Sequence, residues 1–294
     1  MPTWTAEAVR RAAADWVWVP PDAEQIVTDS YQLIAYPRYF QEPTQVARSA
    51  SERPAGELID EVARHVRRWG RDALYWWVRA DTRPADTEAV LQSRGATVAQ
   101  TVQVLAYDLA HGPPDVGLPG GLADPAFAGL PLAARPAPGV GPAAIAGLAG
   151  LAGVRAEVVQ DESALRAFDL VNAEVWDERR DRTAADVAGE LARVRASLAA
   201  WSDFRIVVFA DGEPAAAGGC GLAGGVAQLW GAGTRTSFRG RGIYRVLLAA
   251  RIGLAVEHGA TLALVKGRVQ TSGPILLRAG FTSYGEERLY RLAV

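Results

Sequence analysis

One order of elements occurs twice along the 294 residues of this chain. In the first half the segment GELIDEVARHVRRWG, at 56–70, is amphipathic, with Leu58 or Ile59, Val62, Val66 and Trp69 on one face. The strand ALYWWVRADTR follows, then a short helix in PADTEAVLQSRGA with proline in its first turn, then the strand TVQVLAYDL. In the second half Ile243, Leu247, Ala250 and Leu254 recur at the spacing of one helical face. That spacing predicts a helix over 243–258, with His258 in its last turn and Gly259 just beyond. The strand TLALVKG, a short helix from Ser272 to the Gly280-Phe281 pair, and the strand ERLYRLAV come next. The corner Arg94-Gly95-Ala96 answers Ala279-Gly280-Phe281. A repeat of this kind predicts two diverged copies of one fold.

Between the copies, 111–153 is dominated by proline, glycine and alanine, with few charges and no periodicity. Such a stretch reads as an interdomain connection, too long for a simple loop inside one compact domain. Its tail, AAIAGLAGLAG, could form a short helix. The expected organisation is therefore a first domain at 1–110, a connection at 111–153 and a second domain at 154–294.

The copies differ in what precedes the long helix. In the second, the apolar run VAQLWGAGT at 226–234 has the length and bounding glycines of a buried strand. It leads through Arg239, Gly240, Arg241 and Gly242 directly into the helix. A helix N-terminus carries unpaired N–H groups and the positive end of the dipole. The glycines let backbone approach a ligand, and arginine matches phosphate geometry. The loop is suited to a pyrophosphate, yet it is neither GxxxxGK[ST] nor GxGxxG. The first copy has YPRYFQEPTQVARSASERPAGE in that place, with no such loop.

Arg239-Gly-Arg-Gly242-Ile-Tyr244 resembles the Q/R-x-x-G-x-G/A loop of the GNAT superfamily, the acetyl-CoA-dependent N-acetyltransferases. The segment from Ser272 to Phe281 is similar to that family's second motif. Upstream, VRAEVV, ALRAFDLVNAEVW, TAADVAGELARVRASLAAW and FRIVVFADGEPAAAGGCGL follow the family's order of strand, two helices and hairpin. The resemblance covers about 154–294. It implies an α+β fold with a mixed sheet: two GNAT-like domains, each a mostly antiparallel sheet flanked by helices, the first without a cofactor site. It further implies acetyl transfer from acetyl-CoA to the amine of a small molecule. Cofactor-binding positions carried over are Ala232, Gly233, Thr234, Arg239, Gly240, Arg241, Gly242, Ile243, Tyr244 and Ser272.

There are departures from the family pattern. Tyr244 stands where the loop usually has Gly or Ala, and Val269 where the second motif often has Asn. The tyrosine often used as general acid falls at Leu276, and the glutamate often used as base at Gln228. Glu174 and Asp177, beside Trp176, are the carboxylates nearest the expected acceptor region, and Tyr284 and Tyr290 are the candidate proton donors. With Glu178 and Asp181 these carboxylates also read as a solvated inter-helix loop, alternating with Arg179, Arg180 and Arg182. A strand N–H around Ala232–Thr234, where Gly231 and Gly233 permit a bulge, is the expected stabiliser of the thioester oxygen. Two other readings stay open: a non-catalytic acyl-CoA-binding module, and the same fold with another acyl donor, as in a mycothiol-synthase-like role.

Composition narrows the partners. A net charge of −2 gives no broad basic surface for nucleic acid. Cys220 is the one cysteine, so no intramolecular disulfide forms, and with no histidine local to it the thiol reads as buried and inert. His65, His111 and His258 have no metal-ligand spacing, and no metal is expected. No signal peptide or membrane-length apolar run stands out, so a cytoplasmic monomer or homodimer without membrane contact is expected.

Overall fold

The computed structural model describes residues 4–37, 40–112, 114, 144–145, 153–177 and 182–294. The chain divides into two compact units. The first comprises 6–105, 266–275 and 283–294; the second comprises 1–5, 106–265 and 276–282.

In the first unit, helix α1 (Ala6–Asp15) precedes strands β1 (Glu24–Val27), β2 (Tyr31–Ala35) and β3 (Thr44–Ser49). Helix α2 (Ala55–Arg68) then crosses to β4 (Ala73–Val78). β1–β2 and β2–β3 are antiparallel, whereas β3 and β4 run parallel. A parallel neighbour needs a crossover, and α2 supplies it. Leu58, Ile59, Val62 and Val66 are all fully buried, as their spacing requires. Helix α3 (Thr87–Ser93) and strand β5 (Thr97–Asp108) follow.

In the second unit β6 (Ala144–Ile145), β7 (Val154–Val158), β8 (Asp203–Ala210), β9 (Glu213–Ala223) and β10 (Val226–Thr234) form a consecutive antiparallel run. Helices α4 (Glu162–Trp176) and α5 (Ala184–Ala199) lie between β7 and β8 in sequence. Asp161 caps α4 through the Ala164 N–H at 2.9 Å, and Thr183 with Asp186 forms a capping box on α5. Helix α6 (Ile243–Glu257) leads to β11 (Leu262–Arg268), which is parallel to β10. A parallel pair with its crossover helix thus occurs in both units, and the other strand pairings described within them are antiparallel. Helix α7 (Ser272–Arg278) and strand β12 (Thr282–Ala293) end the chain.

Two details depart from the sequence reading. Where a short helix was expected in AAIAGLAGLAG, Ala144 and Ile145 form a strand paired with Glu157 and Ala156. The rest of that segment, and nearly all of the Pro/Gly/Ala-rich connection, lie outside the described residues. The second concerns β12, which belongs by sequence to the second copy. It pairs antiparallel with β4 of the first unit, from Arg288↔Val78 to Ala293↔Ala73. Its alternate residues Tyr290 and Leu292 join Trp76, Leu74 and Tyr31 in the first unit's core. Period-two alternation tells which residues of a strand face inward, but not which strand lies beside it. Among the described residues no helix is long and apolar enough to cross a membrane.

Candidate functional site

The site begins where two strands part. β10 and β11 are in register at Val226↔Leu262, Ala227↔Ala263 and Gln228↔Leu264. β10 then runs on to Thr234 with no further partner on β11. On its other edge its register with β9 shifts between Trp230 and Gly233. Gly231, at φ 59°, takes the left-handed conformation this bulge requires. Side chains fix the bulge from one face. The Trp230 indole lies across Gly219, where any Cβ would collide with the ring, and its Nε1 donates to Asp203 Oδ2 at 2.8 Å. Val175 of α4 packs so closely on Gly233 that a Cβ there would also collide.

Beyond Thr234 the chain makes a single 3₁₀ turn at Thr236–Phe238 and enters the arginine–glycine loop. Gly240 and Gly242 have φ 75° and 78°, and Gly242 is the residue that caps α6. A Cβ at Gly240 would meet nothing within 4 Å, so the loop's outer side is open. Here the first N–H groups of α6, the dipole and three arginines come together. Arg239 Nε donates to the Thr234 carbonyl at 3.1 Å, and Arg241 pairs with Asp211 at 2.7 Å. Phe238 lies under both Arg235 and Arg241, at 5.6 and 5.4 Å from ring centroid to guanidinium. The residues present fit a pyrophosphate by donor chemistry and by the open cradle. Among the described residues no group of His, Cys, Asp or Glu is placed to hold a metal ion.

The sequence-derived residues fall into different places. Ala232, Gly233 and Thr234 form the bulge and its exit, and Arg239 to Tyr244 form the loop, all in the second unit. Glu174 joins them, but as a brace. Its carboxylate accepts Arg235 Nε at 2.6 Å and the Thr236 N–H at 2.9 Å. These bonds hold its pKa below the usual glutamate value, which makes it a weak proton acceptor. Asp177 ends α4 in the left-handed conformation and is exposed; Glu178 and Asp181 lie outside the described residues. Ser272 and Tyr284 belong to the first unit. There the Ser272 hydroxyl accepts the Arg268 N–H at 3.0 Å, and the Tyr284 carbonyl accepts Arg10 Nε at 3.2 Å. Tyr290 is also in the first unit, its hydroxyl donating to Glu88 at 2.6 Å and accepting from Gln92 at 2.9 Å. Leu276 is fully buried.

Tyr244, the loop's irregular last position, turns its phenol inward to hydrogen-bond Arg251, and burial raises its pKa. Sequence reasoning missed Arg251, which sits where an apolar helix face should be, and Asp203, at the start of β8. Burial pushes the Asp203 carboxyl up to about 6, against the opposing pull of the Trp230 N–H and Arg205. Register across three strands, Asp203↔Gly221 and Gly221↔Gln228, places Asp203 in one row with Gln228. The only signal for it in sequence was the glycine that separates them. Cys220 is fully buried, and its thiol is pushed up to about 12 by burial.

No protein-family model matches the chain, and no curated protein does. Solved structures do match. A GCN5-related N-acetyltransferase from Kribbella flavida superposes with a TM-score of 0.62 at 16% identity, over 97% of this chain and 95% of its own. One from Sphaerobacter thermophilus gives 0.60 at 16% identity, over 97% and 85%. A tandem GNAT protein from the clavulanic acid biosynthesis pathway gives 0.57 at 13% identity, over 96% and 86%. Nearly the whole chain therefore has the fold of GNAT acetyltransferases, with a large mixed sheet flanked by helices.

Two variants test the electrostatics. Glu174→Gln should raise the KM for the acyl donor and keep turnover within about tenfold, because a lost brace loosens the loop. Loss of a general base would instead cost ~10²–10⁴-fold in turnover. The Asp203 carboxyl titrates higher folded than unfolded, so its stabilising contribution is complete below about pH 4 and is lost as pH rises through about 6. Asp203→Asn removes that titration and keeps an acceptor for Trp230. Urea unfolding should show the variant gaining on the parent between about pH 4 and pH 7, by on the order of 2–3 kcal/mol.

Proposed function

We propose that this protein is an acyl-CoA-dependent N-acetyltransferase that moves an acetyl group from acetyl-CoA to the amine of a small molecule. The observation that carries the reading is the Arg239–Tyr244 loop at the start of α6, directly downstream of the strand that parts from β11. The GNAT-like fold of nearly the whole chain supports it. In this reading the chain is built as copies at 1–110 and 154–294, and the first has no cofactor loop.

When bound, acetyl-CoA supplies a thioester: the amine nitrogen bonds to its carbonyl carbon, the C–S bond breaks, and the proton lost by the amine balances the one gained by the thiol. The chain's part is binding and charge placement. The backbone N–H groups of Gly240–Tyr244 with Arg239 and Arg241 hold the pyrophosphate, and Arg241 exchanges the Asp211 carboxylate for phosphate. The unpaired edge of β10 aligns the donor's amide-bearing arm by strand-like hydrogen bonds. The bulge amides meet the thioester oxygen as it gains negative charge. An amine with pKa about 10.4 must shed a proton first. With Glu174 held by Arg235 and Thr236, that proton passes to Asp177, to Asp203 through water, or directly to solvent. A thiol pKa near 8.5 lets the sulfur leave without a dedicated acid, consistent with Leu276 in place of a tyrosine.

The occupied Glu174, Gln228 and Leu276 favour a second reading, a non-catalytic acyl-CoA-binding module. Thioester consumption measured against a panel of amines separates the two. For the first reading, titration calorimetry with acetyl-CoA should give one site per chain. Combining Arg239→Ala with Gly242→Asp, which sets a carboxylate against phosphate, should weaken binding at least about tenfold, roughly 1.4 kcal/mol, while leaving the chain folded by circular dichroism. Two equivalent sites, or unchanged affinity in the double variant, would contradict it.

A further inference from the structure

Arg251 is the one arginine of the described second unit whose side chain is completely withdrawn from water, at 1% exposure. Among the described residues no carboxylate pairs with it. Its partners are neutral. Nη1 donates to the carbonyls of Gly219 at 3.3 Å and Trp230 at 3.5 Å, Nε reaches the Leu247 carbonyl at 3.4 Å, and the Tyr244 phenol hydrogen-bonds the guanidinium. The socket is shaped for it: a Cβ at Gly218 would stand 3.2 Å from Nη1 and 3.1 Å from the Ala232 Cα.

An unpaired buried ion is expensive, and an apolar side chain of similar volume is often the more stable choice. Leu247, Leu248 and Ile252 beside it on α6 show that the helix face is otherwise apolar. An arginine keeps its proton in a protein, so this charge persists. Its grip falls on the bulge, because Trp230 is the last residue in register with β9 before the shift. In a trans peptide the carbonyl of one residue and the N–H of the next point opposite ways. Drawing the Trp230 carbonyl toward α6 therefore turns the Gly231 N–H away from it, and the adjacent charge polarises that peptide. On the exposed side of Gly231 a Cβ would meet nothing within 4 Å.

We propose that Arg251, steadied by Tyr244, is a positioning residue of the acyl site: it fixes the Trp230–Gly233 bulge so that its amides, Gly231 first, face the thioester oxygen, and its buried charge favours the negative charge gathering there. The inference rests on the reading that acetyl-CoA binds beside β10.

Two measurements test it. In the ligand-free protein, amide hydrogen exchange of Gly231–Thr234 is compared between the parent and Arg251→Met. With [1-¹³C]acetyl-CoA bound, difference infrared spectroscopy reads the thioester carbonyl band. The parent should show the band at lower wavenumber than free acetyl-CoA. Arg251→Met should speed exchange in the bulge and return the band toward its free position with little change in affinity; Arg251→Lys and Tyr244→Phe should give intermediate shifts. A purely structural arginine would lower the melting temperature and leave the band in place, which overturns the proposal. Should Arg251→Met not fold, bands identical to the parent's in both Arg251→Lys and Tyr244→Phe overturn it. Parent protein that binds acetyl-CoA with an unshifted band overturns this inference alone; parent protein that does not bind it overturns the proposed function as well.

Discussion

Strands β10 and β11 share a ladder for three residue pairs and then part, and the candidate site follows from that separation. A strand edge without its neighbour presents backbone donors and acceptors that must find partners elsewhere. Here the edge leads into a loop whose glycines adopt left-handed backbone and whose next element is a helix N-terminus. Backbone polarity is thereby gathered along one path from Gln228 to Tyr244. The path suits an extended ligand with an amide-bearing arm and an anionic end, the chemistry of an acyl-CoA.

What holds the path in shape is a set of close approaches on both faces of β10. A Cβ at Gly219 or Gly233 would collide with the Trp230 indole or the Val175 side chain, and one at Gly218 would crowd the Arg251 guanidinium. The GGC run in β9 is therefore a packing surface. Charges are arranged with equal economy. Glu174 fixes Arg235 at the entrance to the loop, Asp211 occupies Arg241, and the buried Arg251 is held by neutral carbonyls. A carboxylate already bound to arginine, as Glu174 is to Arg235, is a poor proton acceptor.

Much of this was legible in the sequence, because it rested on local rules. The strand at 226–234, the helix at 243–257 and the glycine-rich loop between them follow from periodicity and from the few residues that tolerate positive φ. The helices at 55–68 and 243–257 were legible too, and each follows one strand of a parallel pair. Long-range pairing was not. Nothing in the alternation of β12 says that Tyr290 and Leu292 pack with Trp76, because a strand's pattern fixes its inward face and leaves its partner open. Nor does an arginine among leucines on a largely apolar helix announce burial, since long basic side chains usually reach water. Asp203 escaped notice because its setting comes from Trp230 and Gly221, both distant in sequence.

In the proposed function one acyl-CoA lies along β10 and over the start of α6, and amide hydrogen exchange mapped across the whole chain with and without acetyl-CoA reads this out. Added protection should concentrate at 229–246 and leave 44–60, from β3 into α2, unchanged. Protection at 44–60, or none at 239–244, would contradict it.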